Sequence, residues 1–383
     1  MNNTEVILIS QFQLPYPKIA SWTTMYNQIL AKESHSFNHI VCPKVKTKAS
    51  KVSYQFLRDV SISDKLKNKL FDPKSRYNNY LEALENIIEV DKKYIIHIID
   101  NSGVVLSIDA YLKEKYNRKD FFIQYYYHGF APLFSRKIGQ PFLNAIDEIF
   151  FLTNLSYKAH LNFYNDCTFK ARVISNGVDS KKFHTINTQE TLQLRQEFGV
   201  EKGRTVFLWC SQDRPKKGLH IVLEAFNKLY QKDKNVHLLI VGIDTEINQQ
   251  GVTVIGRVPN DELPKYYQIA DVYLFPSLWK EGFGIVLAEA LKCGCYCIAS
   301  KQGGIPEVLN YGEYGVLIEH PNFIDEWVVE MNKAVEVLKT NGKNPYLKAI
   351  PQNLYDIEDW AKKIDLYLEE AKASINSISP KYR

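Results

Sequence analysis

At 383 residues, of which 45% are hydrophobic and 24% charged, the chain has the composition of ordinary globular protein and enough length for two separate cores, which excludes fibrous and disordered classes. The formal net charge of +5 is unevenly placed, since residues 44–76 hold ten Lys or Arg against three Asp. No apolar run approaches the roughly 20 residues of a membrane span, and the start MNNTEVILIS has neither a basic region nor a small-residue cleavage site, so a cytoplasmic protein is expected. Six cysteines are scattered except for Cys293, Cys295 and Cys297. Their alternation at a strand start reads as small buried apolar residues, whereas a zinc site would want paired CxxC spacings and further ligands, so no metal is expected.

Residues 5–10 (EVILIS) read as a first buried strand and 22–31 as the helix after it, with the intervening loop at the ligand-facing edge of a parallel sheet. Apolar runs at 39–42, 94–99, 121–126 and 148–152 alternate with helical patterns such as 77–88, which describes an α/β domain with a mostly parallel sheet. His128 and Gly129 follow the 121–126 strand, again at its ligand-facing end. The basic run 44–76 interleaves its charges with Val52, Phe56, Leu57, Val60 and Ile62. It is either a solvated face packed on its own core or a segment that rests on an anionic membrane surface. Residues 172–183 (RVISNGVDSKKF) read as a strand and an Asn-Gly turn. Polar residues at 184–202 then mark a boundary near 190, giving domains 1–190 and 191–355 and a C-terminal segment 356–383.

The second domain opens with a strand at 205–210, the loop SQDRPKKG at 211–218 and an amphipathic helix at 219–230. Strands at 236–241 and 252–255 and a helix at 259–269 follow. The most informative stretch is 271–309, DVYLFPSLWKEGFGIVLAEALKCGCYCIASKQGGIPEVL. It reads as a strand at 272–275, a loop carrying Gly282, Phe283 and Gly284, a helix at 285–292 and a strand at 295–299. That βαβ unit points its loop at a ligand. The glycines and the helix N-terminus suit a phosphate or diphosphate. Glu281 beside a phosphate makes sense if it accepts hydrogen bonds from hydroxyls of the same ligand, and Glu289, eight positions on, could reach a ribose diol. Two carboxylates flanking a phosphate-friendly turn describe a nucleotide-sugar site. At the end of the chain, Ile357, Trp360, Ile364, Leu368 and Ala371 fall at helical spacing, so that helix buries one face.

The run EGFGIVLAE, after a strand ending in FPS and before a CGC-type turn and GGIPEVL, resembles the signature of the retaining glycosyltransferases of family 4, glycosyl transferases group 1. The resemblance implies the GT-B fold: two Rossmann-like α/β domains facing across a cleft, with the C-terminal helix crossing back onto the first. It implies catalytic roles for Glu281 in orienting the sugar, Lys217 at the leaving diphosphate and His128 toward the transferred sugar. It also implies a donor-binding set of Gln212, Arg214, Gly282, Phe283, Gly284, Glu289 and Arg257. Two departures stand out. The family's diphosphate loop has an arginine five residues before the lysine, where this chain has Gln212, so either Arg214 supplies the missing cation or donor binding is weaker. The paired glycines common in the family's first loop are replaced by Lys18, Ile19, Ala20 and Ser21.

The reaction so implied is metal-independent retaining hexosyl transfer, since the chain has no Asp-x-Asp motif. A UDP-sugar or GDP-sugar is the donor, no cofactor is involved, and the leaving phosphate takes the acceptor's proton on the same face. The acceptor would be a glycan or lipid-linked saccharide of bacterial surface polysaccharide or lipopolysaccharide, met by a protein in the cytoplasm or peripheral on the inner membrane face. No nucleic-acid module is recognisable. The alternatives are a catalytically silent GT-B partner or sugar-binding subunit, suggested by Gln212, and a nucleotide-sugar epimerase.

Overall fold

The structure is a computed structural model that describes residues 4–16, 21–58, 77–164 and 169–377. Positions 18–20 and the 59–76 part of the basic run, including Lys65, Lys67 and Lys69, lie outside the described residues. The chain divides into two compact units, Met1–Asn176 with Asp359–Arg383, and Gly177–Glu358. The division falls at Gly177 and not near 190, because the turn after Asn176 is already tied into the second unit. There Val178 N–H donates to Tyr355 O (2.7 Å) and Ile357 N–H to Val178 O (3.1 Å). The polar stretch read as a linker contains the helix Thr188–Glu197, started by a capping box between Asn187 and Glu190. Arg195 holds that helix in place by reaching Ile269 O (2.7 Å) and Asp271 (2.7 Å).

The first unit carries seven parallel strands: β1 (Thr4–Ser10), β2 (His39–Cys42), β3 (Ser53–Phe56), β4 (Lys93–Ile99), β5 (Phe121–Tyr126), β6 (Glu148–Phe151) and β7 (Lys170–Val173), in the order β3-β2-β1-β4-β5-β6-β7. The second carries six: β8 (Thr205–Cys210), β9 (Val236–Val241), β10 (Val252–Gly256), β11 (Val272–Phe275), β12 (Tyr296–Ser300) and β13 (Val316–Ile318), in the order β10-β9-β8-β11-β12-β13. The central strands are nearly all apolar because helices cover both of their faces. In each sheet the order reverses once, between β1 and β4 and between β8 and β11. Such a switch point splays the two following loops apart and leaves room for a ligand at the carboxyl ends of the strands.

A file of polar side chains crosses the buried first sheet. His97, Gln124, Glu148 and Lys170 are register partners on β4, β5, β6 and β7. Glu148, a pure acceptor when ionised, receives Gln124 Nε2 (2.6 Å) and Arg172 Nε (2.8 Å). Gln124 Oε1 therefore faces His97 Nδ1 (3.1 Å), which must carry the hydrogen, and His97 Nε2 accepts from the Tyr26 hydroxyl (2.6 Å). Burial pushes the His97 pKa down to about 4, in keeping with this neutral tautomer. The last helix, Ile357–Ser377, closes over the file: Gln124 Nε2 also donates to Tyr367 O (3.3 Å), and Trp360 Nε1 to the Tyr126 hydroxyl (3.2 Å). Trp360, Ile364, Leu368 and Ala371 are buried beneath it.

Candidate functional site

At the switch point of the second sheet, the loop after β8 carries Gln212, Arg214, Lys216 and Lys217, and the loop after β11 carries Ser277, Trp279 and Glu281. Two contacts join these loops. Leu278 N–H donates to Lys216 O (2.8 Å), and Lys217 Nζ meets Glu281 Oε1 at 2.5 Å. Ser277 Oγ donates to the same Oε1 at 2.6 Å. Both of these donors fall on one oxygen, and Oε2 has no donor among the described residues. Lys217 and Glu281 are only partly exposed, at 21% and 16% of their side chains, so their attraction is screened less than a surface pair's.

The Glu281 backbone is fixed from the other side by residues that sequence reasoning left without a role. Gly304 N–H donates to Glu281 O (2.8 Å). Gly303, at φ 60°, lies so close that a Cβ there would be 2.4 Å from Glu281 O and 2.6 Å from Glu281 N. The GGIPEVL run thus serves as the backrest of the glutamate. Ser300 Oγ adds a bond to Ser277 O (2.6 Å).

Gly284, at φ 84°, opens the helix Ile285–Lys292, whose first amides point toward the same edge. Phe283 between the glycines is 3% exposed, its ring packed edge-on against Tyr355, so only its backbone is offered to a ligand. Arg214 and Gln212 are exposed, and Arg214 N–H donates to Gln212 O (2.8 Å). Arg257 is 77% exposed and pairs with Asp244 (2.9 Å).

Glu289 lies on the second turn of that helix and is 8% exposed. Burial pushes its pKa up to about 8, and the Tyr267 hydroxyl, donating at 3.2 Å, offsets this only in part. At neutral pH the carboxyl is thus largely protonated and both donates and accepts. The unfolded chain would ionise it near 4.5. Its contribution to stability is therefore complete below that pH and is lost as pH rises toward about 8. Glu289→Gln should accordingly gain stability, and with it melting temperature, over the wild type as pH rises from 5 to 8, the stability gain growing by at most about 1.4 kcal/mol per pH unit, with no gain at pH 4. A pH-independent difference in thermal scans would show that Glu289 is ionised in the fold.

In the first unit, His128 follows β5, and its backbone N–H donates to Asp100 Oδ1 (3.2 Å) at the end of β4. Burial and the neighbouring His97 push the His128 pKa down to about 3, so the ring is neutral. Its Nε2 is sealed from solvent and has no partner among the described residues, while its ring lies against Tyr126 (4.3 Å between centroids) and Trp22 (5.8 Å). Asp100, which sequence reasoning missed, has φ 45°, and burial raises its pKa to about 6. An aspartate forced into left-handed backbone directly after a strand is conformational strain of the kind often found at binding sites.

Two parallel Rossmann-like sheets, each with one switch point, place the chain in the GT-B class of α/β folds. Its structure superposes on that of Anabaena Alr3699/HepE in complex with UDP with a TM-score of 0.72 and 17% identity, covering 96% of this chain and 100% of that one. Residues 190–344 match the family model of glycosyl transferases group 1. It is 25% identical to spore coat protein SA of Bacillus subtilis over 232 residues, 55% of this chain and 62% of that protein. To the lipopolysaccharide 1,2-N-acetylglucosaminetransferase of Salmonella typhimurium it is 26% identical over 212 residues, 50% of this chain and 55% of that protein. The match thus spans little more than half the length of these curated relatives. Among the described residues, no helix is long and apolar enough to cross a membrane.

Proposed function

We propose that the protein transfers a hexose, with retention, from a nucleoside-diphosphate sugar to a glycan or lipid-linked acceptor. The observation that carries this reading is the Lys217–Glu281 pair (2.5 Å) at the switch point of a group 1 glycosyltransferase domain. Breaking the anomeric bond leaves negative charge on the departing diphosphate, and fixed donors there lower the barrier. Lys217, Arg214 and the amides at the start of the helix Ile285–Lys292 supply that charge from the protein itself, so a divalent metal is not required. Glu281 Oε2 accepts a hydroxyl of the transferred sugar, and neutral Glu289 bridges the ribose diol.

With Oε1 tied to Lys217 and Ser277, Glu281 serves as a holder of the sugar and not as a nucleophile. Retention then follows from attack on the face the diphosphate leaves, which takes up the acceptor's proton. A UDP-sugar is favoured as donor by the likeness to a fold that holds UDP, with GDP-sugars as the other candidate. The lipopolysaccharide transferase among the relatives favours a surface-glycan acceptor, met at the cytoplasmic face of the membrane with the basic run 44–76 toward anionic lipid.

A thermal-shift panel of UDP, GDP and their sugars tests the reading, because a ligand at 100 times its Kd adds about 2.7 kcal/mol to the folded state. One nucleotide series should raise the melting temperature, and Arg214→Ala should cut that rise while Gln212→Arg enlarges it. A flat response to the whole panel would overturn the assignment. An Arg214→Ala protein that responds like the wild type would leave the loop working with Lys217 alone.

A further inference from the structure

The chain has five tryptophans, and four are buried: Trp22, Trp209, Trp327 and Trp360 are at most 6% exposed. Trp279 is 59% exposed. An indole left in water forgoes the burial that stabilises the other four, and here the backbone holds it there. Leu278 N–H is tied to Lys216 O, and Trp279 N–H leans on Ser277 Oγ (3.4 Å). That same hydroxyl gives its own hydrogen to Glu281 Oε1 (2.6 Å). Trp279 and Glu281 are thus registered to one side chain, and Trp279 lies in sequence between Leu278 and Glu281, the two residues through which the loops are joined. The Lys216 ammonium lies 4.9 Å from the ring centroid, over one face of the ring.

We propose that Trp279 is the stacking platform for a pyranose ring at this site. The proposal rests on the nucleotide-sugar reading above and goes beyond it by assigning a residue to the sugar ring. The negative face of an indole attracts the weakly positive C–H face of a pyranose, which is apolar enough to cover it, while the ring's hydroxyls remain free for groups such as Glu281. A phosphate gains nothing from that face. The shared chemistry is the sugar ring, which belongs either to the donor or to the acceptor.

Because Trp279 is the one exposed tryptophan of the five, acrylamide quenching of intrinsic fluorescence reports on it, and Trp279→Phe confirms the signal's origin. UDP or GDP alone should leave Trp279 quenchable. If the ring is the donor's, UDP-glucose, UDP-N-acetylglucosamine or GDP-mannose should shield it, and Trp279→Ala should lose about tenfold in affinity for that nucleotide sugar while keeping its affinity for the nucleotide. If the ring is the acceptor's, shielding should appear when free glucose or N-acetylglucosamine is added to the UDP-bound protein. Trp279→Phe should retain most of the affinity in either case. A nucleotide sugar bound equally by wild type and Trp279→Ala, with no shielding in any arm, overturns the proposal, and so does full shielding by UDP or GDP alone. Absence of binding by every nucleotide and nucleotide sugar overturns the functional reading itself and leaves Trp279 without a ring to stack.

Discussion

Lys217→Ala should lower turnover of the bound nucleotide sugar by about 10²- to 10³-fold, the cost typical of removing one preorganised donor from developing charge. The expected loss lies in kcat more than in KM, because in the proposed reaction the lysine faces charge that grows as the diphosphate departs. In the free protein it also neutralises Glu281 at 2.5 Å, so its removal leaves that carboxylate with Ser277 as its remaining partner. Steady-state kinetics beside a circular-dichroism spectrum separates the two consequences. A folded Lys217→Ala protein with wild-type kinetics would exclude the lysine from the transition state.

Gly303→Ala should be nearly as damaging without touching a substrate. Its φ of 60° strains any side-chain-bearing residue, and its Cβ would meet Glu281 backbone atoms on two sides, at 2.4 and 2.6 Å. Backbone atoms cannot swing aside as a flexible side chain does, so the Glu281 loop has to move. A shift of about 1 Å at a positioning group can cost on the order of 10²-fold in rate. Gly342→Ala is the matched control: φ there is 69°, and nothing lies within 4 Å of the added carbon. Both variants should lose melting temperature through backbone strain, and only Gly303→Ala should also lose turnover. Equal activity of the two would show that Glu281 does not depend on its backrest.

The long buried strands were legible because coverage on both faces demands an unbroken apolar run, as in β1, β4, β8 and β9. The edge strands β3 (Ser53–Phe56) and β13 (Val316–Ile318) escaped, since three or four half-covered residues carry no pattern of their own. Thr188–Glu197 escaped for another reason. None of its residues is buried, so no apolar stripe exists, and its one local signal is the N-x-x-E capping box. At the site, the spacing of Glu281, the glycines and Glu289 is visible in one stretch of chain. The meeting of Lys217 with Glu281 is not, because it depends on β8 lying beside β11, a pairing between residues some 65 positions apart, such as Phe207 and Val272. Ser277 and Asp100 look like ordinary loop residues until the atoms they hold are known.

The polar file beneath the last helix has a consequence for how the molecule comes to be made. Its hydrogens run in one direction, from Tyr26 through His97 and Gln124 to Glu148, and Gln124 also needs the Tyr367 carbonyl. The first unit is discontinuous, so that carbonyl is synthesised only after the whole of the second unit has been synthesised. Until then the sheet's face above Gln124 and Tyr126 has no lid, and a lid that docks one residue out of step would leave a buried amide without its acceptor. The first unit to begin synthesis is therefore the last to be finished, and a shortened chain ending before Asp359 would carry a sound second unit joined to an open first one.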